Sequence, residues 1–285
     1  MIYKDNCNVL SCIVGHRRHA GAVYINIPVD KTTVAHLVKP PCVLDEFNGK
    51  CWVSIVVDDL ERLEVYCGAG LFVPTPMSGW MMKLNLLVRC PVPTWNNDGG
   101  DETVTVSGYQ IVEVHFEGGI GGQVKALGAR KTQKVPSSTL QFGMSRVLSG
   151  EAINSNLEDG MDYAAKVYEE SGKLLLSLTG VLKVGDSTTD NMKPFFDFVI
   201  NRPNKFLFQK DNNVLAYSPE TGVGAEFSSD GCAFVEMSEF SAPVLERIST
   251  GLELIGVSSS LPLDDVICFV QPYYILVDHH NTVIS

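Results

Sequence analysis

Short runs of β-branched and aromatic residues recur along this chain, several of them separated by the Asn/Asp/Gly clusters that close a strand into a tight turn. Asn96-Asn97-Asp98-Gly99-Gly100 lies between the apolar stretch 81–92 and Thr103 to Phe116, which predicts a hairpin. The same signal recurs at Asp211-Asn212-Asn213, between Phe206-Leu207-Phe208 and Val214-Leu215-Ala216-Tyr217. It appears again at Ser229-Asp230-Gly231, between Ala225-Glu226-Phe227 and Ala233-Phe234-Val235. Repeated short strands with such turns favour an all-β barrel or sandwich over a helical or alternating α/β fold. We expect a mostly β chain with minor α content: an antiparallel, closed or partly closed barrel around a pocket.

Gly21 to Pro28 and Cys51 to Val57 read as further strands, being rich in residues that fit a pleated surface. Between them Asp30 can cap a short helix from Lys31 to Val38, which stops before Pro40-Pro41. Two more helices are expected over Gly160 to Ser171 and Phe240 to Ser249, as lids or plugs on the sheet; in the second, Val244, Leu245 and Ile248 share one face. Val266 to Val277 reads as a strand that Pro272 confines to an edge or a bulge.

With 285 residues, 45% of them hydrophobic and 19% charged, the chain has ample material for a large core and no bias towards disorder. We expect one β domain over 18–278, an N-terminal extension 1–17 and a C-terminal tail 279–285. The net charge of -11 opposes binding to phosphate backbones, so nucleic acid is not an expected partner. The start Met1-Ile2-Tyr3-Lys4-Asp5-Asn6 resembles neither a secretion signal nor a transit peptide. No apolar stretch reaches the roughly 18–20 residues that span a bilayer. The eight cysteines are accordingly read as reduced thiols in a cytoplasmic protein. Cys7 and Cys12 lie near His16 and His19, but the spacing differs from finger-type zinc sites, and we expect neither a metal nor a cofactor.

Glu113, His115 and Glu117 alternate along one strand, where they either line a pocket as an acid–base set or form the wet side of an antiparallel strand. Trp52, Trp80 and Trp95 are read as core or rim residues, and His279-His280 as an exposed or satisfied pair. Gly118-Gly119-Ile120-Gly121-Gly122 lacks the lysine–serine ending of a phosphate-binding loop and is read as a wide turn.

The stretch Val29-Asp30-Lys31-Thr32-Thr33-Val34-Ala35-His36-Leu37-Val38-Lys39-Pro40-Pro41, followed by Phe47-Asn48-Gly49-Lys50-Cys51-Trp52-Val53-Ser54-Ile55, resembles the opening of the acetoacetate decarboxylase-like superfamily. Lys83 to Val92, Gly108-Tyr109-Gln110-Ile111 and Gly121 to Lys131 continue the likeness in order and approximate spacing. It covers residues 18 to 275, the second half only through its hairpins. In that family a lysine forms a Schiff base with the substrate's keto group, and the resemblance places it at Lys131. The flanking pattern differs: Arg130 replaces a proline, Thr132 replaces a second lysine, and Lys125 stands where the family has a glutamate. A second family glutamate falls on or near Leu86, where this chain has no acid, and a family arginine corresponds to Arg17 or Arg18.

The resemblance implies a carbon–carbon lyase, decarboxylase or aldolase in type, acting on a small keto acid. Lys131 would be the nucleophile, with Arg130, Arg18, Glu113 and His115 around the substrate, and the family's tendency to oligomerise implies a homo-oligomer. A Schiff base needs a neutral amine, and bringing a lysine from about 10.4 to about 7 takes roughly 4–5 kcal/mol of environment. Burial beside another cation supplies such an effect. Arg130 is the nearest cation in sequence, although adjacent strand residues point to opposite faces. The plainer alternative is that Lys125, Arg130, Lys131 and Lys134 form a solvated cationic loop. A non-catalytic β-barrel that encloses a small apolar ligand also fits the architecture.

Overall fold

The computed structural model describes residues 13–66, 71–74, 78–93, 103–117, 137–140, 157–169, 174–185, 187–202, 204–209, 214–223, 231–243, 245, 263–272, 274–279 and 282–283. Its first eight strands are β1 (Ile13–Val29), β2 (Val43–Leu44), β3 (Glu46–Phe47), β4 (Lys50–Tyr66), β5 (Phe72–Pro74), β6 (Gly79–Pro93), β7 (Thr103–Glu117) and β8 (Ser137–Leu140). The others are β9 (Asp162–Glu169), β10 (Leu174–Lys183), β11 (Asn204–Gln209), β12 (Val214–Val223), β13 (Ala233–Ser241), β14 (Ile267–Gln271), β15 (Tyr274–His279) and β16 (Thr282–Val283). Helix α1 spans Lys31–Val34 and α2 spans Ser187–Ile200. No helix among the described residues is long and apolar enough to cross a membrane.

Local chemistry accounts for several of these elements. The Asp30 side chain accepts from the Thr32 N–H at the start of α1, and a 3-10 turn continues the helix over Ala35–Leu37, as the capping signal predicts. Asn48 and Gly49 both have positive φ, 52° and 75°, and Phe47 pairs with Lys50 across them, the geometry of a two-residue hairpin with an Asn-Gly turn. The hairpins predicted around 94–102 and 210–213 are present as the antiparallel pairs β6–β7 and β11–β12.

All sixteen strands belong to one sheet. Four long neighbours form its spine: β1 pairs with β4, β4 with β6 and β6 with β7, all antiparallel. From β1 one arm runs through β14, β13, β10, β9 and β8, and another through β15, β12 and β11. Both β8 and β11 lie parallel to β7. The expectation of an antiparallel, closed or partly closed barrel is therefore corrected to one large, branched, mixed sheet. Hairpin signals report only neighbours joined by short turns, whereas the two parallel pairings join strands distant in sequence.

Three local expectations also change. In place of the helix expected over Gly160 to Ser171, β9 occupies Asp162–Glu169, with Tyr163, Ala165 and Val167 buried at alternate positions, the period of a strand; 170 and 171 lie outside the described residues. Of the helix expected over Phe240 to Ser249, Phe240 and Ser241 instead complete β13; Leu245 is helical, with its N–H on the Ala242 carbonyl, and 244 and 246–249 lie outside the described residues. Val266 to Val277 divides at Pro272 into β14 and β15, which both pair with β1. A proline that cannot donate to the ladder thus becomes the joint between the two arms.

The central stretches of β1, β4 and β6 are buried on both faces. On one, Val23, Ile25 and Ile27, with Val53, Ile55, Val57, Leu84, Leu86 and Val88, join the inward residues of β9, β10 and β13 in the main apolar core. On the other, α2 lays Phe195, Phe196, Val199 and Ile200 against Trp52, Leu87 and Phe269. Ring centroids lie 4.6 Å apart for Trp52–Phe195 and 4.4 Å for Phe196–Phe269, within the contact range of aromatic pairs.

Arg202, just beyond α2, holds this helix down. Its buried guanidinium reaches Asp45 Oδ2 at 2.6 Å, donates to the carbonyls of Val88 and Gly108, and lies 4.0 Å from the Phe198 ring centroid. Gly108 itself admits β11: a Cβ there would collide with the Asn204 carbonyl oxygen and with Phe206.

Candidate functional site

Strand register brings a set of polar side chains together on the α2 face of the spine. Directly opposed residues in antiparallel strands share a face. Asn26 opposes Ser54, and Ser54 opposes Asn85, so these three form a row across β1, β4 and β6. The next row is Tyr24, Val56 and Lys83, and the one beyond it Ala22, Asp58 and Met81, with Gln271 of β14 opposite Ala22. Trp52, two residues from Ser54 along β4, lies under α2, so the helix's apolar plug ends where the polar rows begin.

Lys83 and Asp58 meet diagonally between these rows, with Nζ 2.6 Å from Oδ2. The carboxylate's other oxygen lies 3.5 Å from Nδ1 of His19. His19 reaches it from between two register shifts in the β1–β4 ladder, irregularities that re-aim a side chain. Both His19 and Asp58 are 0% exposed, and Lys83 is 6% exposed. The Asp58 contacts bring charges close without the alignment of hydrogen bonds.

Burial is the largest influence on His19 and drives its pKa down to about 4, although Asp58 pulls the other way; Arg17 and Lys83 lower it further. Burial alone would raise Asp58, but the Lys83 charge and the His19 contact overcome it and hold the carboxyl well below its ordinary range. The resting site therefore contains an ammonium–carboxylate pair beside a neutral imidazole.

Around this pair, Asn26 Oδ1, Ser54 Oγ, Asn85 Oδ1 and Gln271 Nε2 are buried without a hydrogen-bond partner among the described residues. The other ends of two of these side chains are anchored: Asn26 Nδ2 donates to the Ile267 carbonyl, and Gln271 Oε1 accepts from Tyr24 Oη at 2.9 Å. An unsatisfied buried polar group costs about 1–3 kcal/mol. Several such groups lie on one face next to an ion pair, where a buried water or a small polar molecule can satisfy them.

The residues singled out from the sequence are distributed differently. Lys131 and Arg130 lie outside the described residues. Arg18 is half-buried on β1 between Arg17 and His19, opposite Arg62 of β4, and strand alternation turns it away from those two neighbours. Glu113 and His115 occupy register positions on β7 opposite Leu84 and Met82, the residues that flank Lys83. His16 stacks on Phe72 and lies 3.7 Å from Glu64. Trp52 fills the core beneath α2, as expected. Cys42, Cys51, Cys90, Cys232 and Cys268 are buried free thiols.

Sequence reasoning missed Lys83, Asp58, Ser54 and Asn85. The available signal was polar interruption at period two inside otherwise apolar strands: Lys83 and Asn85 within Met81 to Val88, and Ser54 and Asp58 within Cys51 to Leu60.

No family model matches this chain, and no curated protein matches it significantly. Solved structures do. An acetoacetate decarboxylase-like enzyme from Sphingomonas wittichii RW1 superposes with a TM-score of 0.55 at 10% identity, covering 100% of this chain and 98% of its own. The enduracididine biosynthesis enzyme MppR, complexed with pyruvate, gives 0.56 at 9% identity over 99% and 93% of the two chains. Acetoacetate decarboxylase from Legionella pneumophila subsp. pneumophila str. Philadelphia 1 gives 0.53 at 10% identity over 95% and 87%. The chain is thus similar in fold, over nearly its whole length, to acetoacetate decarboxylase-like proteins.

Proposed function

We propose that this chain is a carbon–carbon lyase of the acetoacetate decarboxylase type, acting on a small keto acid through an imine formed by a lysine. The observation that carries this reading is a buried lysine–carboxylate pair, set among unsatisfied polar groups, in a fold it shares with acetoacetate decarboxylase-like enzymes. One of the similar structures holds pyruvate, a small keto acid. The polar lining favours such a substrate over an apolar ligand, whose entry would leave the donors Ser54 Oγ and Gln271 Nε2 unsatisfied.

In this reading the protonated imine is the electron sink that accepts the pair released when the carbon–carbon bond breaks. The resemblance names Lys131 as the amine and puts Arg130, Arg18, Glu113 and His115 around the substrate. The test is reductive trapping: the protein is incubated with pyruvate or acetoacetate, treated with sodium borohydride, and weighed intact. One reduced adduct per chain is expected, requiring both keto acid and borohydride. Absence of an adduct with every keto acid tried would remove the imine from the proposal.

A further inference from the structure

Two buried thiols meet across β2 and β6, on the core face of the sheet rather than the face that carries the polar rows. Val43 opposes Arg89 and Leu44 opposes Val88, and the same register puts Cys42 directly opposite Cys90. The Asp45 N–H donates to the Leu87 carbonyl, which makes 45 and 87 a hydrogen-bonded pair. Alternation along an antiparallel ladder then makes 43 and 89 the next such pair, and leaves 44–88 and 42–90 as the closer, non-hydrogen-bonded ones. Opposed Cα atoms in such a pair lie about 4.5 Å apart with their side chains on one face, inside the roughly 4.4–6.8 Å that a disulfide spans. Cys42, Leu44, Val88 and Cys90 all belong to the main apolar core, whereas Val43 and Arg89 are exposed. Cys42 donates its S–H to Cys90, a contact that pushes the Cys42 thiol up and draws Cys90 down. The other thiols on described strands are not opposed by sulfur: Cys51 opposes Glu46 and Val29, and Cys268 opposes Ile25.

We infer that Cys42 and Cys90 are a redox-active pair, joined reversibly as a disulfide that fastens the segment between α1 and β3 onto β6. Both ends of that segment are already tied down, which holds the two sulfurs in place. Gln110 accepts from the Lys39 N–H and donates to the Leu37 carbonyl, and Asp45 holds Arg202. The oxidant is a peroxide, small enough to enter beside Cys42, which is 5% exposed between the exposed residues Pro41 and Val43. Cys90 Sγ, as the thiolate, bonds to one peroxide oxygen; the O–O bond breaks, and the departing hydroxide takes up the proton that the thiol released and becomes water. Cys42 Sγ then gives up its proton and attacks the sulfenic sulfur of Cys90, so that the S–S bond forms, the S–O bond breaks and a second water leaves. Two thiols have lost two electrons in all, and one peroxide has been reduced to two waters. A small thiol reverses the change by exchange, as the edge beside Cys42 allows.

The experiment treats the reduced, folded full chain with hydrogen peroxide, blocks the remaining thiols with N-ethylmaleimide in denaturant, and maps the peptides without reduction. The expected result is a crosslinked pair of peptides, one containing Cys42 and the other Cys90. Closing the long loop 42–90 is expected to raise the melting temperature by roughly 5–10 °C, and dithiothreitol should reverse both the crosslink and the rise. Cys42→Ala, which removes one partner, should show neither, and Cys51→Ala should keep both. Cys42 and Cys90 both recovered as maleimide adducts, oxidised to sulfinic acids, or joined to other cysteines would overturn the inference. A 42–90 crosslink that leaves the melting temperature unchanged would overturn the fastening role. If Cys42→Ala does not fold, the wild-type map still decides, since the two peptides are either joined to each other or not.

Discussion

His19 makes the stability of this fold depend on pH in a window where few other groups titrate. An unfolded histidine titrates near 6.5, whereas burial drives His19 down to about 4 in the folded chain. The folded state therefore binds the proton more weakly than the unfolded state. The contribution of His19 is complete above pH 6.5 and declines as pH falls towards 4. From the two pKa values the loss is about 2 kcal/mol by pH 5 and about 3 kcal/mol by pH 4. Asp58 adds nothing in this window. Its depressed pKa gives stability that is complete above the ordinary carboxylate value near 3.8 and lost only below it. The perturbation is His19→Gln, which retains a polar group of moderate size and removes the titration. Urea unfolding of wild type and variant at half-unit steps from pH 7.5 to about 4.5 isolates the effect. The stability difference between them is expected to shrink by about 2 kcal/mol between pH 7 and 5, in favour of the variant. Parallel stability curves over that range would refute the assignment of a buried neutral imidazole at this position.

Two further outcomes follow from the packing. Arg202→Met removes the cation that reaches Asp45 and the carbonyls of Val88 and Gly108, and is expected to cost about 3 kcal/mol in urea unfolding. Arg89, 3.1 Å from Asp45 on the exposed side, limits the loss, and Asp45→Asn combined with Arg202→Met should cost less than the sum of the two single changes. Gly108→Ala places a methyl group against the Asn204 carbonyl, and is expected to lower the melting temperature by several degrees, as a loss of about 1–3 kcal/mol would. An unchanged melting temperature would mean that β7 and β11 are free to separate there.

Much of the local structure was legible because its causes are local. Asp30 caps α1 through its own side chain two residues on, and the strands flanking 94–102 and 210–213 pair antiparallel, as the Asn, Asp and Gly residues between them predict. Pro272 announced an irregularity in the C-terminal β segment, but only the fold shows it as the joint at which the chain passes from one side arm to the other. Helix α2 was missed. It carries Pro194 in its interior, against local helix preference, and its stability comes from burying Phe195 and Phe196 against Trp52 and Phe269.

The opening expectation of a β architecture was therefore within reach of the sequence alone, since alternation and turn chemistry are written into neighbouring residues. So were the polar interruptions at Ser54, Asp58, Lys83 and Asn85, although nothing local says which face they occupy or whom they meet. Tertiary structure decided that Asn26, Ser54 and Asn85 lie in one row, that His19 and Lys83 converge on Asp58, and that Gln271 closes in from the far end of the chain. The physical reason is register: a shift of one residue between strands sends every side chain to the opposite face, and register between distant strands is set by the packing of the whole sheet rather than by any short segment.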